Sequence, residues 1–136
     1  MPQASDALPD LSGQAVLIAE PNSLIALDLA GQLREWGARP KPYYDLRGPE
    51  RTSALDAIGA ALVDVPSDHE ALSGLISELR RRGVPTVLTT ACGADNIEAQ
   101  FPGFRVLDKP VDYAALAQWF CVAVPAGGCA GRLGNR

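Results

Sequence analysis

Residues 14–37 read QAVLIAEPNSLIALDLAGQLREWG, and they contain one complete structural unit. The first part, Gln14–Glu20, is a short and nearly continuous apolar run ending on an acid, the pattern of a strand buried on both faces. The second part, Ser23–Trp36, places Leu24, Leu27, Ile25, Leu29, Leu33 and Trp36 at helical spacing on adjoining faces. Asn22 or Ser23 is positioned to cap that helix, and Gly37 to stop it.

Strand-then-helix recurs along the chain. Ala60–Val65 (AALVDV), Val84–Thr90 (VPTVLTT) and Arg105–Lys109 (RVLDK) are further short β-rich runs. Asp68–Arg82 is predicted as a helix with Ala71, Leu72, Leu75, Ile76 and Leu79 inward, acid at its start and Arg80–Arg82 at its end, as the helix dipole favours. Ala94–Gln100 is a shorter helix closed by Phe101-Pro102-Gly103, and Asp112–Val124 a last one with Leu116, Phe120 and Val124 four apart. The weaker region between residues 39 and 59 is assigned an edge strand at Lys41–Leu46, with Pro42 inside it, and a short helix at Pro49–Ile58.

Five strand–helix pairs predict an α/β fold, an open, doubly wound parallel sheet with helices on both faces. With 136 residues the chain is the size of one domain. The expected boundaries are a disordered segment at 1–13, a folded domain at 14–124 and a flexible Gly-rich tail at 125–136.

Twelve basic against sixteen acidic residues leave a net charge of −4, which gives no long-range attraction to nucleic acid or to an anionic membrane. Neither is expected as a partner. Cys92, Cys121 and Cys129, with the single histidine His69, fall short of a tetrahedral zinc set, and a reducing cytoplasm is the simplest compartment. His69 is read as a solvated residue in the first turn of its helix. No run approaches the ~20 apolar residues needed to span a bilayer, and Met1–Gly13 lacks the basic and apolar regions of a signal peptide.

In a parallel open sheet the chemistry gathers outside the carboxyl ends of the strands. There the sequence delivers Glu20, Asp64, Thr90 and Lys109. An aspartate so placed is a nucleophile toward phosphorus if a cation neutralises the incoming oxygens, and Lys109 is that cation. Thr90 supplies a hydroxyl donor, and Glu20 a carboxylate toward magnesium, which takes hard oxygen ligands. Walker-type loops, nucleophile elbows and Ser/His/Asp sets at strand ends are absent from the sequence, so the chain is not expected to be an enzyme.

The same constellation resembles the receiver domain of two-component response regulators. The resemblance runs from about Gln14 to Val124 and rests on VLIAE with the helix after it, on ALVDV around Asp64, on VPTVLTT closing at Thr90, and on VLDKP with Lys109-Pro110. It implies the flavodoxin-like strand order 2-1-3-4-5. By resemblance Asp64 is the phosphoacceptor, Thr90 the switch hydroxyl, Lys109 the phosphoryl-stabilising lysine, and the Pro66 carbonyl a backbone metal ligand beside Glu20 and Asp64. Leu88–Cys92 is similar to the Phe-Ala-Thr-Gly-aromatic strand of a single-domain subgroup. The implied function is that of a single-domain response regulator taking a phosphoryl group from a sensor histidine kinase and signalling to a downstream protein. The alternative is a degenerate receiver, an interaction module independent of phosphorylation. Homodimerisation through the last elements is a family habit that no residue here specifies.

Two positions depart from the family pattern. Receivers end their first strand on two adjacent acids, and here the pair is Glu20-Pro21, so magnesium is expected to bind weakly or not at all, with Asn22 or Ser23 as neutral substitutes for the missing ligand. Val106 replaces the aromatic switch residue common three positions before the lysine.

Overall fold

A computed structural model describes residues 8–43, 54–66 and 72–125. Its elements in chain order are β1 (Ala15–Ala19), α1 (Ser23–Glu35), β2 (Arg39–Tyr43), β3 (Ala60–Asp64), α2 (Ser73–Arg81), β4 (Thr86–Thr90), α3 (Ala94–Gln100), β5 (Arg105–Asp108) and α4 (Tyr113–Ala123). The five strands form one parallel sheet in the order β2-β1-β3-β4-β5, as expected.

Alternation along the strands divides the core in two. Val16, Ile18, Leu62, Val87 and Leu107 point to one face, where Leu29, Leu33, Leu116 and Phe120 of α1 and α4 cover them. Leu17, Ala61, Val63, Leu88 and Val106 point to the other, beneath Leu75, Ile76 and Leu79 of α2 and Ile97 of α3. Neighbouring residues of one strand thus serve opposite layers, which is why β1, β3 and β4 lack a polar face.

Helix α1 begins where the Asn22 side chain accepts the N–H groups of Leu24 and Ile25, at 3.0 and 3.1 Å. It ends at Trp36, and Gly37, with φ of 95°, turns the chain into β2. Leu24 and Leu27, read as part of its apolar surface, are instead 76% and 61% exposed. The core takes Ala26, Leu29, Ala30 and Leu33, so the buried stripe runs one residue round from those leucines.

Strand β2 begins earlier than expected, at Arg39 rather than Lys41, and residues 44–46 of the expected strand lie outside the described residues. Its register explains how it holds two prolines. Arg39 donates its N–H to the Gln14 carbonyl at 2.8 Å, and alternation then turns the nitrogens of Pro40 and Pro42 to the open edge, where no donor is needed. The structured chain also starts before residue 14. Leu11, within the segment expected to be disordered, is fully buried, and its N–H reaches the Trp36 carbonyl at 2.8 Å. Of the helix expected at Pro49–Ile58, residues 49–53 lie outside the described residues, Ala54 is helical and Leu55–Ala57 form a turn. Asp68, His69 and Ala71 also lie outside them, and α2 is described from Ser73.

Candidate functional site

Three of the strand-end residues meet at the carboxyl edge of the sheet. Lys109 Nζ lies 2.6 Å from Asp64 Oδ1 and 2.7 Å from Glu20 Oε1. The strand order explains why a lysine is needed. Glu20 and Asp64 end adjacent strands, whereas Lys109 follows β5 and must pass over β4 to reach them. Its backbone is fixed for that reach by an N–H bond to the Thr90 carbonyl at 2.8 Å, and the Lys109–Pro110 peptide is cis.

Glu20 is nearly sealed, at 2% exposure. Its Oε2 accepts the Asn22 N–H at 3.0 Å, while the enclosed Oε1 meets the lysine as a charge partner rather than through an aligned hydrogen bond. Asp64 and Lys109 keep side-chain exposures of 10% and 16%, so the pocket opens to solvent beside them. Two carboxylates share one ammonium, and the enclosed cluster carries a net negative charge. Burial holds the Asp64 carboxyl above its ordinary range, with the nearby Glu20 charge adding to the rise and Lys109 opposing it. For Lys109, burial acts downward, but the two carboxylates outweigh it and hold the ammonium above the usual lysine value.

Thr90 is fully buried, and its hydroxyl is engaged by backbone. It donates to the Val65 carbonyl at 3.3 Å and accepts the Cys92 N–H at 2.9 Å. It therefore sits one residue beyond Asp64 without touching the carboxylate cluster. Val106 is buried against the α2–α3 side of the core, so no aromatic ring stands at this position. One participant was not singled out from the sequence. Asp108 Oδ1 accepts the Ala94 N–H at 2.8 Å, tying the residue before Lys109 to the first turn of α3.

The donors suit a hard cation in kind but are few. Asp64 keeps a second oxygen, and Pro66, two residues beyond it, is exposed, while both Glu20 oxygens are already engaged. The Asn22 oxygen, a candidate substitute ligand, is spent on capping α1. Among the described residues no cluster of three or more His, Cys, Asp or Glu side chains is placed to hold a metal ion. A hard cation bound at so few donors would have to keep most of its shell as water.

Many solved structures with the same arrangement of elements are named as response regulator receiver domains or proteins. A response regulator receiver domain from Clostridium thermocellum matches with a TM-score of 0.68 and 19% identity over 82% of this chain and 94% of its own. The chain has the receiver-domain fold. SdrG from Pseudomonas melonis Fr1, solved in its BeF3-activated conformation, is 26% identical over 79% of this chain and 96% of its own, with a TM-score of 0.62. A sensor protein from Polaromonas sp. JS666 is 25% identical over 82% of this chain and 95% of its own, with a TM-score of 0.67. No family model and no curated protein matches the sequence. The receiver fold places β3, β4 and β5 so that Asp64, Thr90 and Lys109 end at one edge. No helix among the described residues is long and apolar enough to cross a membrane.

Proposed function

We propose that this chain is a cytoplasmic signalling receiver in which Asp64 accepts a phosphoryl group from a phosphohistidine of a sensor kinase. The reading rests on one observation, the Lys109 ammonium held within 2.7 Å of both Asp64 and Glu20 at the carboxyl edge of a receiver-fold sheet. An Asp64 oxygen attacks phosphorus, the phosphorus–nitrogen bond breaks, and the imidazole nitrogen leaves with the bonding pair and takes up a proton. The product is an acylphosphate. Lys109 pairs first with the carboxylate and then with the phosphoryl oxygens, so the charge it neutralises is replaced rather than lost. A magnesium ion held by Asp64, the Pro66 carbonyl and Glu20 would supply further neutralisation of those oxygens.

The modification adds roughly two negative charges to a partly enclosed edge. Thr90 is the nearest hydroxyl donor on the strand beside it, and turning toward the new oxygens means giving up the Val65 carbonyl and releasing the Cys92 N–H. The segment between β4 and α3 then rearranges, which presents an altered surface to a downstream protein. The deciding measurement is intact mass after incubation with acetyl phosphate and magnesium. Gain of one phosphoryl group that is absent in Asp64→Asn supports the reading, and an unmodified wild-type protein overturns it.

A second reading, an interaction module that never carries phosphate, is favoured by Pro21 and by the engagement of both Glu20 oxygens. Magnesium titration separates the two. Saturable binding at millimolar concentration supports the first, and no binding the second.

A further inference from the structure

We infer that the opposite end of the sheet carries a docking cleft for an acidic segment of a partner protein. A cavity of about 340 Å³ lies at the amino ends of β4 and β5, away from Asp64, between the end of α2 and the last turn of α4. Its walls include two guanidiniums, Arg80 and Arg105, and two rings, Phe104 and Trp119, and none of its lining residues is acidic. Arg80 is fixed in place, its guanidinium 4.7 Å over the Phe104 ring and its Nη2 donating to the Pro102 carbonyl at 2.8 Å. Arg105 is exposed and has no hydrogen bond or ion pair among the described residues.

The neighbouring arginines differ. Arg81 and Arg82 are neutralised by Glu78, and Arg82 also by Asp56 at 3.1 Å. Among the described residues Arg80 and Arg105 have no carboxylate partner, so the cleft holds uncompensated positive charge in a chain whose net charge is −4. Trp119 is half-buried with its ring edge-on to Phe120, and Val122, three residues on along the same helix, is 82% exposed beside the cleft wall formed by Ala123. Tryptophan and arginine around an apolar floor are the residue types that carry binding energy in protein interfaces. Charge selects the occupant. Residues 126–136 of this chain contain two arginines and no acid, which makes them a poor match for a cationic wall, whereas a segment rich in glutamate or aspartate with one apolar anchor complements it.

The test uses the full chain and a fluorescein-labelled peptide of glutamates around a central Leu-Phe pair. Fluorescence anisotropy is expected to show saturable binding that weakens at least tenfold in Arg105→Glu, recovers largely in Arg105→Lys, and weakens when salt is raised. Amide shifts of ¹⁵N-labelled protein are expected to cluster at residues 80–86, 102–105 and 119–123. Equal affinity of wild type and Arg105→Glu, or shifts gathered at the Asp64 edge, would overturn the proposal. So would concentration-dependent dimerisation abolished by Arg105→Glu, which would make a second copy the occupant. None of these readouts depends on phosphorylation of Asp64.

Discussion

The Asp108 carboxylate accepts the backbone N–H of Ala94 at 2.8 Å, so the end of β5 holds the start of α3. Gly93, at the N-cap position of that helix, has no side chain to do so. Asp108 is also the register partner of Thr90 and directly precedes Lys109. One short stretch of β5 thus fixes the cation of the cluster, the strand bearing the switch hydroxyl and the helix that follows it. Asp108→Ala should cost about 1 kcal/mol, as loss of a helix cap does. Amide exchange should accelerate at residues 94–97 before it changes in the rest of the sheet. Asp108→Asn, which keeps an acceptor oxygen, should restore most of the protection.

Lys109→Ala leaves two enclosed carboxylates without their cation and should destabilise the fold by about 3 kcal/mol near neutral pH. The sign with pH follows from the raised lysine value. The contribution of Lys109 is fully present below the pKa of an unfolded lysine and is lost only as pH rises through the higher folded value, so it is intact at neutrality. The deficit of the variant should shrink in acid, because Asp64, already held above its ordinary range, takes up a proton and the repulsion with Glu20 falls. Urea denaturation of both proteins at about pH 7 and about pH 4 measures this, and a deficit that is the same at both values would contradict the charge account.

Asp64→Asn should remove both the phosphoacceptor and a source of strain. A carboxyl whose folded pKa is raised contributes stability that is complete below its unfolded pKa and is lost as pH rises through the folded one. Ionised Asp64 therefore opposes folding at neutral pH, chiefly through burial. The asparagine variant should show an unchanged or higher urea midpoint near neutrality, and a flatter pH dependence from the carboxylate range upward. A clear fall in the midpoint would mean that the Lys109 contact outweighs desolvation.

The sheet was legible because its strands are buried on both faces, so Val16–Ile18, Ala60–Val63 and Val87–Leu88 stand out as unbroken apolar runs. The edge strand was not, since Arg39–Tyr43 buries little and its prolines follow hydrogen-bond direction rather than hydropathy. In the site, Glu20, Asp64 and Lys109 were legible as polar groups ending such runs. The competing uses of single atoms were not. Whether the Asn22 oxygen caps a helix or faces a metal, and whether Thr90 meets the cluster or the Val65 carbonyl, depends on side-chain direction at a strand end, which spacing leaves undetermined. Asp108 escaped notice because its partner, Ala94, is a backbone group on another element.

Pro21→Asp should restore a magnesium site. Pro21 is exposed and directly follows Glu20, so a carboxylate there adds a full charge at the pocket mouth without entering the core. The Asn22 cap on α1 is a separate contact and should survive. With Asp64 and the Pro66 carbonyl, the new acid gives the cation a second carboxylate, and unlike Asp64 and Glu20 it is not one that Lys109 holds in the wild-type protein. Magnesium affinity should rise at least tenfold, which corresponds to about 1.4 kcal/mol, by isothermal titration calorimetry. The gain should be much reduced in the double variant with Asp64→Asn, because the two charges act on the same ion. If Pro21→Asp binds no tighter than wild type, the limit lies in the lysine that occupies both native carboxylates. Lys109→Ala should then raise the affinity where the added acid does not.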